Sequence, residues 1–199
     1  MRIALELKGL GYDYVPVHLV KGEHRQAGYA AMSPTGLVPT LELDSGGRLG
    51  QSMAIIEYLD ETHPEPPLLP PDPLGRGRVR ALAQLIACDI HPLNNLRILK
   101  YLVRELKVEE EAKNTWYRHW VREGLEAYER ELQQLPASRF SYGDTPTLAD
   151  CCLVPQIANG QRFDVSFEGL VRTMAAYEAC MALPAFQQAQ PSRCPDNEG

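Results

Sequence analysis

The feature that most constrains the fold is a proline-rich segment at residues 63–73, which contains six prolines. Proline fixes φ at about −65° and has no backbone N–H, so neither a helix nor a strand continues through such a segment. Proline-rich stretches are typical of domain boundaries, and 199 residues are enough for two small domains. We therefore predict a first domain at residues 1–62, a linker at 63–73 and a second domain at 74–199.

The first domain is predicted to be a small α/β unit. Apolar residues recur at helical spacing near the start and again between residues 52 and 62. Val15, Val17 and Leu19 alternate with other residue types and predict a strand. The predicted elements are, in order, a short helix at the start, a strand at 15–19, an irregular helix at 23–32, a hairpin of residues 38–43 and 48–50 around a turn at 44–47, and a helix at 52–62.

The second domain is predicted to be all-helical, because no strand pattern of comparable quality follows the linker. A break is expected near His91-Pro92, since a proline inside a helix removes one backbone hydrogen bond. Thr147 and Asp150 have the spacing of a capping box at the start of a helix. The predicted helices lie at residues 74–106, 109–135, 147–162 and 170–181. The fold class is therefore α/β plus all-α.

Charge and cysteine content exclude several classes of partner. The net charge of −6 disfavours nucleic acid and anionic membranes, and no apolar run approaches the roughly 20 residues of a membrane span. The five cysteines include no CxxC pair and no histidine spacing suited to zinc, and their number is odd. We predict a reduced, cytoplasmic protein with no metal site, no nucleic-acid partner and no membrane partner.

Two short motifs predict a binding edge in the first domain. Pro39 follows Val38 where a strand begins, and because proline cannot donate to a ladder it favours an edge at which an extended peptide can pair. Gln51 and Ser52 stand at the start of a helix, whose free N–H groups attract a carboxylate. Each motif alone is also explained as an edge device or as a helix cap. Together, at the spacing of one hairpin, they predict a site for a peptide-like acid.

The order of domains, the edge proline and three longer strings resemble the zeta class of the cytosolic glutathione transferases. The strings are DIHPLNNLR at residues 89–97, GDTPTLAD at 143–150 and LVPQ at 153–156. The resemblance covers essentially the whole chain. It implies a thioredoxin-like N-terminal domain followed by the all-helical C-terminal domain of a glutathione transferase, and a homodimer.

The resemblance also implies a cofactor and the residues that bind it. Glutathione would pair through its cysteinyl unit with the backbone of Val38, next to a cis peptide bond at Pro39. Gln51 and Ser52 would hold the γ-glutamyl end. Thr35 and Gly36 depart from the family, which often has longer polar side chains there.

In the second domain, the resemblance implies that His91 and Arg162 bind a small dicarboxylate substrate. A guanidinium suits a carboxylate because it donates two parallel hydrogen bonds. The other interpretations are a hydrogen-bonded residue beside the proline for His91 and a surface charge near a helix end for Arg162. Trp116 and Trp120, one turn apart, are predicted to pack rather than to bind ligand.

The implied reaction is the isomerisation of maleylacetoacetate to fumarylacetoacetate. A glutathione thiolate would add to the double bond, the resulting single bond would rotate, and elimination would restore a trans double bond and the glutathione. Relatives that isomerise maleylpyruvate carry an arginine pair at residues 96 and 97, so Leu96 favours maleylacetoacetate. The alternatives are a maleylpyruvate isomerase, a glutathione transferase acting on α-halo acids, and a glutathione-binding protein without catalysis.

The start of the chain departs most from the family. Residues 1–5 align inside the family's first helix, so its first strand and the loop with its catalytic serine would precede Met1. We expect a late-assigned start or a shortened chain. The catalytic residue is left unassigned, and Cys88 is expected to be a small packing residue.

Overall fold

The computed structural model describes residues 1–194, which divide into two compact units. Unit 1 consists of residues 1–67 together with 184–194, and unit 2 of residues 68–183. This division differs from the predicted second domain at 74–199, because Arg2 Nε and Nη2 donate to the Ala189 carbonyl oxygen at 3.2 and 3.1 Å. The last helix therefore packs against the first one. Residues 195–199 of the predicted domain lie outside the described residues.

Unit 1 combines short helices with a two-stranded antiparallel sheet. Ile3 and Leu5 of the first helix are buried, as are Ile55, Ile56 and Leu59 of the third. The elements are α1 (Arg2–Leu7), a 3₁₀ turn (Glu23–Arg25), α2 (Ala27–Met32), β1 (Thr40–Glu42), β2 (Arg48–Gly50), α3 (Ser52–Thr62), α10 (Pro184–Gln188) and a 3₁₀ turn (Pro191–Arg193). The predicted hairpin, the irregular helix and the bounds of α3 are confirmed.

The strand predicted at residues 15–19 is wrong. Residues 11–18 have no regular structure, and Val15 is 73% exposed. A strand is stable only when its backbone groups pair with a neighbour. Among the described residues the sheet consists of β1 and β2 alone, so the alternating pattern has no strand beside it.

A buried lysine ties the two main helices of unit 1 together. Lys8, just after α1, donates from Nζ to Asp60 Oδ1 in α3 at 2.9 Å. The same nitrogen donates to the carbonyl oxygens of His63 and Pro66 at 2.6 and 2.9 Å. The lysine side chain is 0% exposed, and a buried ammonium is tolerated because all these acceptors surround it.

Unit 2 is all-helical, as predicted. Its elements are α4 (Pro73–Gln84), a π-helical segment (Leu85–Ile90), α5 (His91–Asn94), α6 (Leu96–Arg104), α7 (Glu110–Gln134), α8 (Leu148–Gln161) and α9 (Val171–Met181). The largest buried side chains of unit 2 include Tyr128, Leu125 and Leu132 of α7 and Leu148, Leu153 and Ile157 of α8.

The long helix predicted at residues 74–106 is interrupted near Pro92, as expected. Proline lacks the N–H that would bond back four residues, so the backbone passes into the π-helical segment before α5. A second interruption follows at Asn95, whose side-chain oxygen caps the backbone N–H of Arg97. This second break was not predicted.

The predicted capping box at the start of α8 is confirmed. Asp150 is fully buried and accepts hydrogen bonds from the backbone N–H groups of Thr147 and Ser141 at 2.7 and 2.9 Å. The Thr147 hydroxyl donates to the same carboxylate at 2.9 Å. Burial raises the pKa of Asp150, and these hydrogen bonds oppose that shift. The box fixes the first turn of the helix that carries Arg162 at its other end.

Candidate functional site

The hairpin of unit 1 brings the two predicted binding motifs to one end of the sheet. Thr40 of β1 pairs with Gly50 of β2 in an antiparallel register. Val38 stands two residues before Thr40 and Ser52 two residues after Gly50, so both lie just beyond the paired residues at the same end of the hairpin. The hairpin therefore places the Val38 edge and the start of the following helix at one end of the sheet.

The backbone around Val38 is held in place yet open. The Val38-Pro39 peptide bond is cis, as predicted. The Leu37 carbonyl oxygen accepts from the Tyr29 hydroxyl at 2.8 Å and from Ser33 Oγ at 3.0 Å. Val38 itself is 39% exposed, and within residues 1–194 its own N–H and C=O make no hydrogen bond. These two groups can therefore pair with an extended ligand.

Sequence reasoning missed Tyr29 and Ser33, which anchor this edge. Both lie in or directly after α2, four residues apart, so they share one side of that helix. Tyr29 also approaches Thr40 Oγ1 at 3.0 Å. Their four-residue spacing was the available signal, but nothing local connects it with Leu37.

The start of α3 is suited to a carboxylate. Gln51 precedes the helix with φ 67° and ψ 112°, and its side chain makes no capping hydrogen bond. A non-glycine residue with such a φ costs about 1–3 kcal/mol and is found mainly at functional sites. Ser52 is the first helical residue and is half-buried. The helix dipole and the first N–H groups attract a negative charge there.

In unit 2, His91 opens α5 and is exposed. Its Nε2 lies 3.3 Å from Asn95 Nδ2. Protein atoms around the ring remove part of its hydration, and Arg97 adds a positive charge; both lower the pKa of His91 below its usual value. The ring is therefore neutral at physiological pH.

Arg162 directly follows α8 and is exposed. Burial raises the pKa of Tyr117 to about 12, and the guanidinium of Arg162 opposes that shift. Tyr117 stacks on Phe163 with ring centroids 3.8 Å apart. The residue after Arg162 is thus fixed to α7, while the guanidinium remains accessible.

Two adjacent residues of α7 contact the segments that carry the two candidate substrate residues. Trp116 donates from Nε1 to the Leu93 carbonyl oxygen at 2.9 Å, two residues after His91. The next residue, Tyr117, contacts the segment that carries Arg162. Trp116 also packs against Trp120 with centroids 5.6 Å apart, as predicted. Unit 2 therefore presents a neutral donor ring and a cation on segments fixed to adjacent residues of α7.

The cysteine thiols of unit 2 differ in exposure. Cys88 is exposed, contrary to the expectation of a packing residue, while Cys151 and Cys180 are buried. Burial raises the pKa of Cys152 to about 12 and that of Cys180 still further. Because the thiolate is the reactive form, Cys152 and Cys180 are poor nucleophiles at neutral pH.

Comparisons with known proteins agree with this arrangement. The family described as "Glutathione S-transferase, N-terminal domain" matches residues 1–67. The chain is 49% identical over 199 residues to a maleylpyruvate isomerase of Ralstonia sp, covering 99% of this chain and 93% of that protein.

Two solved structures are similar over nearly the whole chain. One is the holo structure of a maleyl pyruvate isomerase, described as a bacterial zeta-class glutathione S-transferase. Its TM-score is 0.95 at 48% identity, and the match covers 98% of this chain and 92% of that one. The other is a maleylacetoacetate isomerase from Anaeromyxobacter dehalogenans with bound GSH. Its TM-score is 0.87 at 45% identity, with 98% and 90% covered.

The chain belongs to the glutathione S-transferase family, in its zeta class. The predicted family and fold class are confirmed, and so are glutathione as cofactor and the class of activity, a glutathione-dependent isomerase. None of the helices in the described part of the chain is both long and apolar enough to cross a membrane.

Proposed function

We propose that the chain isomerises a maleyl dicarboxylate, maleylacetoacetate in the first place, to its trans isomer with glutathione as cofactor. The observation that carries the proposal is the open backbone of Val38 at the end of the hairpin where α3 begins. It occurs in a chain that is 49% identical to a maleylpyruvate isomerase and 45% identical to a maleylacetoacetate isomerase with bound GSH.

The residues of unit 1 fit glutathione. The Val38 N–H and C=O would pair with its cysteinyl unit as a strand edge pairs with a peptide. Pro39 fixes the direction of the chain at that edge, and Gln51 and Ser52 would hold the γ-glutamyl end at the positive end of α3. When bound, glutathione supplies the thiol nucleophile for reversible addition to the double bond.

The residues of unit 2 would bind the substrate. The Arg162 guanidinium can donate two parallel hydrogen bonds to one carboxylate. The loss of hydration and the charge of Arg97 lower the pKa of His91, and its neutral ring can donate one hydrogen bond to a second oxygen. Two fixed donors would hold both ends of the substrate while its central bond turns, which is how positioning lowers a barrier.

Leu96 and Arg97 bear on which dicarboxylate is preferred. Arg97 provides one positive charge at the start of α6, and Leu96 provides none. The two substrates carry the same two negative charges, and the second carboxylate of maleylacetoacetate is one methylene further from the double bond than that of maleylpyruvate. Leu96 stands where the resemblance implies an arginine in relatives that isomerise maleylpyruvate, and this difference is the ground for placing maleylacetoacetate first. A higher kcat/KM for maleylpyruvate would reverse this part of the proposal.

The test is an isomerisation assay by NMR with glutathione present at a small fraction of the substrate concentration. The expected result is many turnovers of cis substrate with no loss of glutathione. Replacing Arg162→Gln should raise KM for the dicarboxylate about tenfold or more, because a charged hydrogen bond is worth roughly 1.5–3 kcal/mol. Arg139→Gln, at an exposed site of the same unit, is the control and should leave KM unchanged.

Two other outcomes would replace the proposal. Consumption of glutathione with α-halo acids, in the absence of isomerisation, would make the chain a glutathione transferase. Glutathione binding with no reaction on either substrate would make it a binding protein. A homodimer and a cytoplasmic location are part of the proposal. Five free thiols support a reduced compartment, and light scattering should give twice the 22.3 kDa of one chain.

A further inference from the structure

A short hydrogen-bond chain at the start of α6 defines the orientation of the Asn95 amide. The backbone N–H of Arg97 donates to Asn95 Oδ1 at 3.1 Å. A backbone N–H can only donate, so the amide oxygen must face it and the amide nitrogen must point away. That nitrogen, Nδ2, lies 3.3 Å from His91 Nε2.

The amide orientation in turn defines the His91 ring. An NH₂ group has no lone pair with which to accept, so the contact is a hydrogen bond only if His91 Nε2 accepts. The proton of the neutral ring must then be on Nδ1. A proton on Nε2 would point at the Asn95 NH₂ hydrogens, and the charged ring would also face Arg97. Among the described residues, Arg97 is the charged group that acts on this ring.

We propose that Asn95 is a positioning residue that holds His91 neutral with its proton on Nδ1, so that Nδ1–H donates to an oxygen of the dicarboxylate. The substrate half rests on the proposed function, whereas the tautomer does not. A neutral imidazole prefers neither nitrogen strongly on its own, so an outside contact decides which one carries the proton. Asn95 therefore links the cap of α6 to the donor that meets the substrate.

Comparing asparagine, serine and aspartate at position 95 distinguishes the positioning of His91 from the capping of α6. Asparagine, serine and aspartate are all good N-cap residues, because each offers an oxygen to the Arg97 N–H. The three residues differ in the hydrogen bond that they can offer to His91 Nε2. The asparagine NH₂ donates, serine is too short to reach the ring, and the second aspartate oxygen accepts. Asn95→Ser therefore removes the contact, and Asn95→Asp reverses it, while both keep the cap of α6.

The first measurement is ¹⁵N NMR of the histidine side chains at pH 7 and 8. The native chain should show neutral His91 protonated at Nδ1. Asn95→Ser should show a mixture of tautomers, and Asn95→Asp should move the proton to Nε2 and raise the pKa of His91. His119 on α7, which approaches Glu123, is the internal reference and should not change. A native His91 protonated at Nε2 would overturn the proposal.

The second measurement is the Kd of maleate, a cis-dicarboxylate, with glutathione omitted so that no reaction proceeds. Affinity falls with the fraction of the chain that is competent to bind. We expect weaker binding by a few-fold for Asn95→Ser and about tenfold for Asn95→Asp at pH 8, where Nδ1 becomes an acceptor. Unchanged Kd values in both variants would overturn the substrate half. The expected tautomers and Kd values in a chain without isomerisation would instead overturn the proposed function alone.

Discussion

Several helices of unit 2 begin with a side-chain cap, whereas α1, α2 and α3 in the described part of unit 1 begin without one. In unit 1, the residues preceding α1, α2, α3 and the 3₁₀ turn at Glu23–Arg25 make no side-chain capping hydrogen bond in the described structure. In unit 2, α4 is capped by Asp72, α6 by Asn95 and α8 by the Thr147–Asp150 box. The first N–H groups of α3 in unit 1 therefore have no side-chain cap from the residue before them, while those of α4, α6 and α8 in unit 2 do.

The caps of α7 and α9 in unit 2 are reciprocal. Glu129 of α7 accepts from the backbone N–H groups of Arg172 and Thr173 at 3.1 and 2.8 Å, at the start of α9. Arg172 donates in return to the carbonyl oxygens of Leu132, Leu135 and Pro136 at the end of α7. Each helix supplies the charge that the other helix dipole favours. Such pairing joins α9 to α7, the helix that also contacts the segments carrying His91 and Arg162.

The largest loss of stability is expected in unit 2, from Asp150→Ala. The substitution leaves the buried N–H groups of Ser141 and Thr147 without an acceptor, at about 1–3 kcal/mol for each. The free energy of unfolding should fall by about 3 kcal/mol or more, as measured by urea denaturation. Asp150→Asn keeps one oxygen acceptor and should lose less. Equal losses in the two variants would show that the carboxylate is not the cap described.

Glu129→Gln should lower the free energy of unfolding by about 2 kcal/mol, because charged acceptors are lost at the start of α9. Burial alone would raise the pKa of Glu129, but hydrogen bonds from Thr173, Arg172 and Gln133 outweigh it, so the pKa is lowered. Because the pKa is lower in the folded chain than in the unfolded chain, the ionised Glu129 stabilises the fold at pH values above the ordinary glutamate pKa. This contribution is lost as the pH falls from about 5 towards 3.

The melting temperature of the native chain and of Glu129→Gln, followed over that pH range, checks this sign. The two curves should converge as the pH falls. A difference that is constant with pH would mean that the charge of Glu129 contributes nothing, and a difference that grows would reverse the predicted shift.

The smallest change in the free energy of unfolding is expected in unit 1, from Gln51→Gly, and it should be an increase. Gln51 holds φ 67° and ψ 112°, and glycine lacks the Cβ that makes a positive φ costly, so the substitution should stabilise the fold by about 1 kcal/mol. Gln26→Gly is the matched control, because Gln26 precedes α2 with φ −71° and glycine there should destabilise by about 0.5 kcal/mol. Two changes of the same sign would remove the argument for strain at Gln51.

Local patterns in the sequence predicted the local structure well. The start of α3 at Ser52 follows from apolar periodicity, the hairpin from its turn at residues 44–47, and the capping box from Thr147 and Asp150. Each depends on residues within a few positions of one another. The same holds for the break near Pro92, whose cause is a single missing N–H.

Features that depend on distant residues could not be predicted. The pattern at Val15 and Val17 looks like a strand, but a strand requires a neighbour that the pattern does not contain. Glu129 and Arg172 are 43 residues apart, and in the sequence they resemble any other surface charges. The same is true of the Tyr29 contact with Leu37, which depends on how α2 lies along the start of the hairpin. At the site, the sequence therefore predicted the candidate residues themselves, whereas the contacts that hold Leu37 beside Val38 come from residues that local patterns do not connect with it.

The most direct test of the account is calorimetric titration of glutathione onto the native chain, Ser52→Ala, and Ser45→Ala at the opposite end of the hairpin. We expect one site per chain, with Kd raised about tenfold by Ser52→Ala through loss of a hydrogen bond to a carboxylate. Ser45→Ala should leave Kd unchanged. No saturable binding by the native chain, or equal effects of the two substitutions, would contradict the claim that the start of α3 and the Val38 edge hold glutathione.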